Sequence, residues 1–293
     1  MIAYILFAVM TFFNIVYLIL SKKFQVRTRF TVENIMQSNI ACAVGGCLLA
    51  FVASGFSLTF TKTTLFYSAI FGFFSAISVL FMVYAYSHIS IMLTSVVTNA
   101  GSIVIPLVFG LCFNNEKASV LLILAAILIL CAAVIPFVKK GSLSGGGKFA
   151  WFLLLYFLFM GCNGVLSKLY AQSGDTSNVF VYLFMTNVFT SIISVVVIAV
   201  MYLKKKNTGD FVWITGHDFF DSALRAMIAV LFTALAIMIL KIMPVSVYSV
   251  LASGVGFTVN ALVSSLFFKE KMSKVAKISF VLALASVIMV ALV

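Results

Sequence analysis

Long apolar runs alternate with short polar breaks along this chain, and the runs are apolar on every side. Ten such segments can be read, at 2–20, 34–53, 64–87, 91–112, 119–138, 149–171, 177–202, 218–240, 245–268 and 274–293. A helix needs about 20 residues to cross the roughly 30 Å hydrocarbon core of a bilayer, so each run predicts a transmembrane helix. A membrane β-barrel would show segments of about 10 residues with alternating polarity, and that pattern is missing. The shortest break is Ser87-His88-Ile89-Ser90. It predicts a tight helical hairpin, because one helix over 64–112 would be about twice as long as a bilayer requires. Lys241-Ile242-Met243-Pro244 separates the eighth segment from the ninth, with Pro244 suited to a first helical turn.

The longest polar connections are 21–33, 139–148 and 203–217. The stretch Gly141-Ser142-Leu143-Ser144-Gly145-Gly146-Gly147 predicts a flexible linker, 141–148, between a first unit, 1–140, and a second, 149–293. A junction recurs in the two parts. Phe113-Asn114-Asn115-Glu116-Lys117 and Phe267-Phe268-Lys269-Glu270-Lys271 lie 154 positions apart, an offset that also superposes Ser95 on Ser249 and Ser119 on Ser273. In both parts a short turn opens a helix rich in small and hydroxyl residues, which ends at the Glu-Lys pair and precedes a small-residue helix. Segments 3–4–5 thus echo 8–9–10. The opening helices echo each other more faintly, through Asn14 with Ser21-Lys22 and Asn163 with Ser167-Lys168, and require an indel. Two copies of five crossings, an odd number, would insert in opposite senses. The expected fold is all-α, ten transmembrane helices as two inverted five-helix repeats around a central cavity.

Composition strengthens the membrane reading. Hydrophobic residues make up 64% of the chain and charged residues 9%, against about 25% charged in soluble domains. The net charge of +12 comes from clusters in the breaks, such as Lys22, Lys23, Arg27 and Arg29 or the lysines at 204–206. These read as topology signals and not as a nucleic-acid surface; they place the odd-numbered connections in the cytoplasm and both termini outside. Five cysteines without CxxC spacing read as packing residues, so neither a metal site nor a disulfide is expected. The first run lacks a basic leader and reads as a retained helix.

The Glu-Lys junctions after the fourth and ninth segments, the short turns before them and the length of 293 residues resemble the drug/metabolite transporter superfamily. Within it, the chain is similar to the EamA-type ten-helix proteins. The resemblance implies two EamA-like inverted repeats, with helices 1–4 and 6–9 around a substrate cavity and helices 5 and 10 to the side. It also implies export or exchange of amino acids, related metabolites, nucleotide sugars or sugar phosphates. Where EamA proteins often carry Trp-Gly in the first helix, Met10-Thr11-Phe12-Phe13-Asn14 stands. The run 14–23 is closer to the triose-phosphate and nucleotide-sugar branch, whose first helix often pairs Asn with Lys.

Polar groups inside an apolar span are costly and are the default site candidates. Arg225 offers a planar fork for a carboxylate or phosphate. Its plainer reading is a pair with Asp221, one turn earlier, with the guanidinium snorkelling to the interface. Lys168, close to a segment end, is expected to snorkel. Ser95, Thr98, Asn99 and Ser102 form one stripe on the fourth segment; Ser246, Ser249 and Ser253, followed by Gly254 and Gly256, are the counterpart on the ninth. Such stripes either line a cavity or let helices pack closely. Asn14, Asn39, Asn163 and Asn187 either meet substrate or bridge helices, and Tyr84 and Tyr248 are candidates for an aromatic wall. Pro106, Pro244 and Asn260 are candidate hinges for gating, the plainer reading of Pro106 and Asn260 being a structural kink.

All seven carboxylates, Glu33, Glu116, Asp175, Asp210, Asp218, Asp221 and Glu270, fall in connections or at segment ends. Facilitated diffusion or exchange is therefore expected over proton coupling through a buried acid. No HExxH or GxSxG motif occurs and both histidines, His88 and His217, lie in turns, so no enzyme is expected. The expected function is alternating-access transport of a small polar metabolite, an amino acid or related compound, by export or exchange. The alternatives are a sugar-phosphate or nucleotide-sugar exchanger and, in another class, a lipid scramblase or channel. The expected setting is multi-pass in a cell membrane, bacterial inner or plasma membrane, as monomer or homodimer, without cofactor.

Overall fold

The structure, a computed structural model, describes residues 2–27, 31–88, 91–117, 119–138, 150–174, 178–205, 213–267, 269 and 274–292. Among them are ten helices and no strand. They are α1 (Ile2–Arg27), α2 (Val32–Ala53), α3 (Lys62–His88), α4 (Ile91–Cys112), α5 (Val120–Val138), α6 (Ala150–Gln172), α7 (Val179–Lys205), α8 (Gly216–Ile242), α9 (Val245–Leu266) and α10 (Lys274–Ala291). Seven of these are long and apolar enough, within the described residues, to cross a membrane. Large apolar side chains such as Phe66, Phe73, Ile192 and Val196 stand exposed along them. In water such faces would drive aggregation, whereas hydrocarbon solvates them without penalty. The protein is an all-helical, multi-pass membrane protein.

Helix starts are set by local chemistry. The Thr31 hydroxyl accepts from the Asn34 N–H at the head of α2, and Thr61 does the same for Thr64 at the head of α3. Thr215 and Asp218 form a reciprocal box before α8: the Asp218 N–H donates to the Thr215 hydroxyl at 3.2 Å, and that hydroxyl donates to the carboxylate at 2.9 Å. Each cap satisfies amides that have no partner within the helix.

The offset of 154 is also an offset of backbone conformation. α3 and α8 are both 27 residues long and α4 and α9 both 22, and both ends of the later helix lie 154 positions beyond those of the earlier. α10 starts 154 positions after α5. In the junctions, Asn115 and Lys269, again 154 apart, both hold positive φ, at 51° and 52°. That conformation costs an L-residue with a side chain about 1 kcal/mol or more, so its recurrence at matched positions is a specific likeness. Ahead of α3 the register slips: α6 and α7 start 148 and 147 positions after α1 and α2.

The chain forms two compact units. One comprises 1–5, 84–168 and 239–293, the other 6–83 and 169–238, so each takes helices from both sides of the 141–148 segment. In the first, α5 packs on α10 through fully buried Ala125, Ala132 and Ala283, and the Ser286 hydroxyl donates to the Ala125 carbonyl at 2.9 Å. In the second, Tyr170 stacks on Tyr182 with ring centroids 3.9 Å apart. Ala50, Val179, Leu183, Val230, Ala234 and Ile237 complete that core.

Candidate functional site

The second unit contains a cavity of about 520 Å³ built from α1, α2, α3, α7 and α8. A close approach of α2 to α8 shapes it. Ser38, Cys42 and Gly45 recur at spacings of four and three and so share one face of α2. A Cβ at Gly45 would collide with the backbone carbonyl of Ala223, so only glycine lets the two helices meet here. The same face brings the Ser38 hydroxyl to 2.8 Å from that of Ser222 and lets the Cys42 thiol donate to the Ser222 carbonyl at 3.3 Å.

Arg225 enters this cavity nine residues past the start of α8, roughly 14 Å along the helix axis. Its Nη2 donates to the Ser38 and Ser222 hydroxyls at 3.2 and 3.4 Å. The Phe24 ring lies 4.0 Å from the guanidinium carbon, in cation–π contact. Asp221 sits instead beside the His217 ring, 3.7 Å away. The pairing of Arg225 with Asp221 is thus replaced by hydroxyls and an aromatic face. Thr186, Asn187 and Thr190 of α7 also line the cavity, with Asn39, Ser21, Ser75 and Tyr17. The Asn187 amide donates to the Leu183 carbonyl at 2.8 Å.

A second cavity, of about 300 Å³, lies in the first unit. It gathers Ser102 and Pro106 from α4, Gly164 from α6, and Tyr248, Ser249, Ser253, Gly256 and Asn260 from α9. Ser249 and Ser253 of the α9 stripe therefore border a space, whereas Ser246 does not, and the Ser249 hydroxyl is turned onto the Ser246 carbonyl at 3.0 Å.

The Glu-Lys junction has a structural task in the same unit. The Glu116 carboxylate accepts from the Val245 N–H at 2.8 Å, the Ser246 N–H at 2.9 Å and the Ser246 hydroxyl, and so caps α9 from outside. Lys168 does not snorkel. It is buried, and its Nζ donates at 2.9 Å to the carbonyls of Leu240 and Met243, at the end of α8. One residue thus satisfies the orphan carbonyls before the α8–α9 turn and the other the orphan amides after it. Burial would raise the Glu116 carboxyl, but hydrogen bonds from Ser246, Asn114 and Val245 together hold it below the usual glutamate value. A depressed folded-state value stabilises the fold above the ordinary range, and that contribution disappears as pH falls through the depressed value. The melting temperature is therefore expected to hold at neutral pH and fall on acidification below about 4.3; Glu116→Gln should flatten that dependence.

Of the residues read from the sequence, Arg225, Asn39 and Asn187 line the larger cavity, and Ser102, Pro106, Tyr248, Ser249, Ser253 and Asn260 the smaller. Asn14 and Asn163 line neither, and the side-chain oxygen Oδ1 of Asn163 is buried without a hydrogen-bond partner among the described residues. Tyr84, Ser95, Thr98 and Asn99 lie outside the residues whose side chains are described. α4 runs unbroken through Pro106. Pro244 precedes α9 as its extended cap residue, with ψ of 141°, and is not the first residue of the helix. Ser38 and Thr186 are not singled out in the sequence, and Cys42 reads there only as a packing residue.

The helices and these cavities define a polytopic membrane protein with polar space inside its helical units. A solved crystal structure is similar in fold, with a TM-score of 0.73 over 97% of this chain and 96% of its own, at 15% sequence identity. The chain matches no family model and no curated protein.

Proposed function

We propose that the protein is a transporter of a small polar metabolite that works by alternating access, built as ten crossings in two inverted five-helix repeats. The observation that carries this reading is the Arg225 cavity, an arginine and several hydroxyl and amide groups held within membrane-crossing helices. Such groups are retained in apolar spans chiefly where they meet a solute or a water-filled path. The repeat is supported by the 154-residue offset of α3 to α5 and α8 to α10, and ten crossings by α4, α5 and α10 having 22, 19 and 18 residues. The EamA-type resemblance agrees with this arrangement, as does a cell-membrane setting. Purified protein in liposomes is expected to move a small metabolite without current steps. Single-channel currents, or lipid exchange between leaflets with no solute movement, would assign it to the channel or scramblase class instead.

A further inference from the structure

We infer that the Arg225 cavity binds a single carboxylate on the guanidinium, so that the transported solute carries one carboxylate as its only anionic group. This rests on the transporter reading and adds the class of substrate. Arg225 is the one charged residue among the described side chains that line the cavity. A guanidinium without a counter-ion is costly in a low-dielectric interior, and an arriving anion offsets that cost. Its recorded partners are weak acceptors, two serine hydroxyls and one ring face. Its Nε is buried without an acceptor, and other groups in this cavity, among them the Asn39 Nδ2 and the Ser21 hydroxyl, are likewise buried without a partner among the described residues. Unused donors around one cation call for an acceptor-rich anion, and the arginine fork matches a planar carboxylate. One positive charge balances one negative charge. A phosphate monoester would bring a second, uncompensated charge into the same low-dielectric space. The volume of about 520 Å³ lies within the range of small-metabolite sites.

Cys42 lines this cavity, and it reports occupancy. In a variant with Cys47, Cys112, Cys131 and Cys162 replaced by alanine, alkylation of Cys42 by N-ethylmaleimide is measured with lactate, glycine, methyl phosphate or glycerol present. Melting temperature is followed in parallel, so that a poorly reactive thiol still yields a result. Lactate, glycine or both should slow alkylation and raise the melting temperature, whereas methyl phosphate and glycerol should do neither. Protection by lactate alone identifies an unadorned monocarboxylate, and protection by glycine an amino acid. Arg225→Gln should weaken the effective carboxylate about 100-fold, and Arg225→Lys, which keeps the charge and loses the fork, about 10-fold. Absence of any effect by both readouts, equal protection by glycerol or methyl phosphate, or unchanged affinity in folded Arg225→Gln and Arg225→Lys would overturn the assignment. Counterflow without occupancy at Cys42 would sink the site and leave transport standing. Occupancy without counterflow would do the reverse.

Discussion

Replacing Glu116 by alanine is expected to lower stability by about 3–5 kcal/mol, read as a large fall in melting temperature in detergent. The substitution strands the Val245 and Ser246 amides, whose residues are almost completely buried, together with the Ser246 hydroxyl. It also removes the carboxylate that acts electrostatically on buried Lys168. Lys168→Met should cost less, since methionine fills the space of the aliphatic stem while the Leu240 and Met243 carbonyls lose their donor. The double variant should be less destabilised than the two single effects added together, because each single change leaves the other charge unbalanced. Simple additivity would mean that Glu116 and Lys168 act independently.

Gly45→Ala is expected to destabilise by roughly 2–3 kcal/mol although it adds one methyl group. The obstacle is backbone, the Ala223 carbonyl, which cannot turn aside as a side chain would. Relief requires α2 and α8 to move apart, opening the contact between Ser38 and Ser222 that Arg225 also uses. Gly256→Ala provides the contrast, since a Cβ there meets nothing within 4 Å. Alanine's better helix propensity should make that change neutral or stabilising by up to about 1 kcal/mol. Equal melting temperatures for the two variants would contradict the close approach of α2 to α8.

The order of helices was legible because the bilayer imposes one length and one polarity on each crossing, so the apolar runs predict all ten helices. The 154-position offset between the bounds of α3 and α4 and those of α8 and α9 was legible from the spacing of Glu116 and Glu270 in the sequence. The role of Glu116 was not, because its partners, Val245 and Ser246, lie about 130 positions away in sequence. Lys168 was misread for a related reason: nearness to a segment end suggests snorkelling, whereas its acceptors belong to the end of another helix. Arg225 could be singled out as an arginine within an apolar run. Its partners could not, because Ser38 looks like any small residue until Gly45 brings α2 against α8. Spacing alone left the α9 stripe open between lining a space and close helix packing; Ser249 and Ser253 border a cavity, and spacing did not reveal that Ser249 points its hydroxyl into its own helix.

The most direct test of the transporter reading is solute counterflow in proteoliposomes loaded with an unlabelled monocarboxylate or amino acid and diluted into a trace of the labelled form. The expected result is a transient accumulation of label above equilibrium with the wild-type protein and little or none with folded Arg225→Gln. Absence of any overshoot across small carboxylates, amino acids, sugar phosphates and nucleotide sugars, with folded wild-type protein in the membrane, would contradict it.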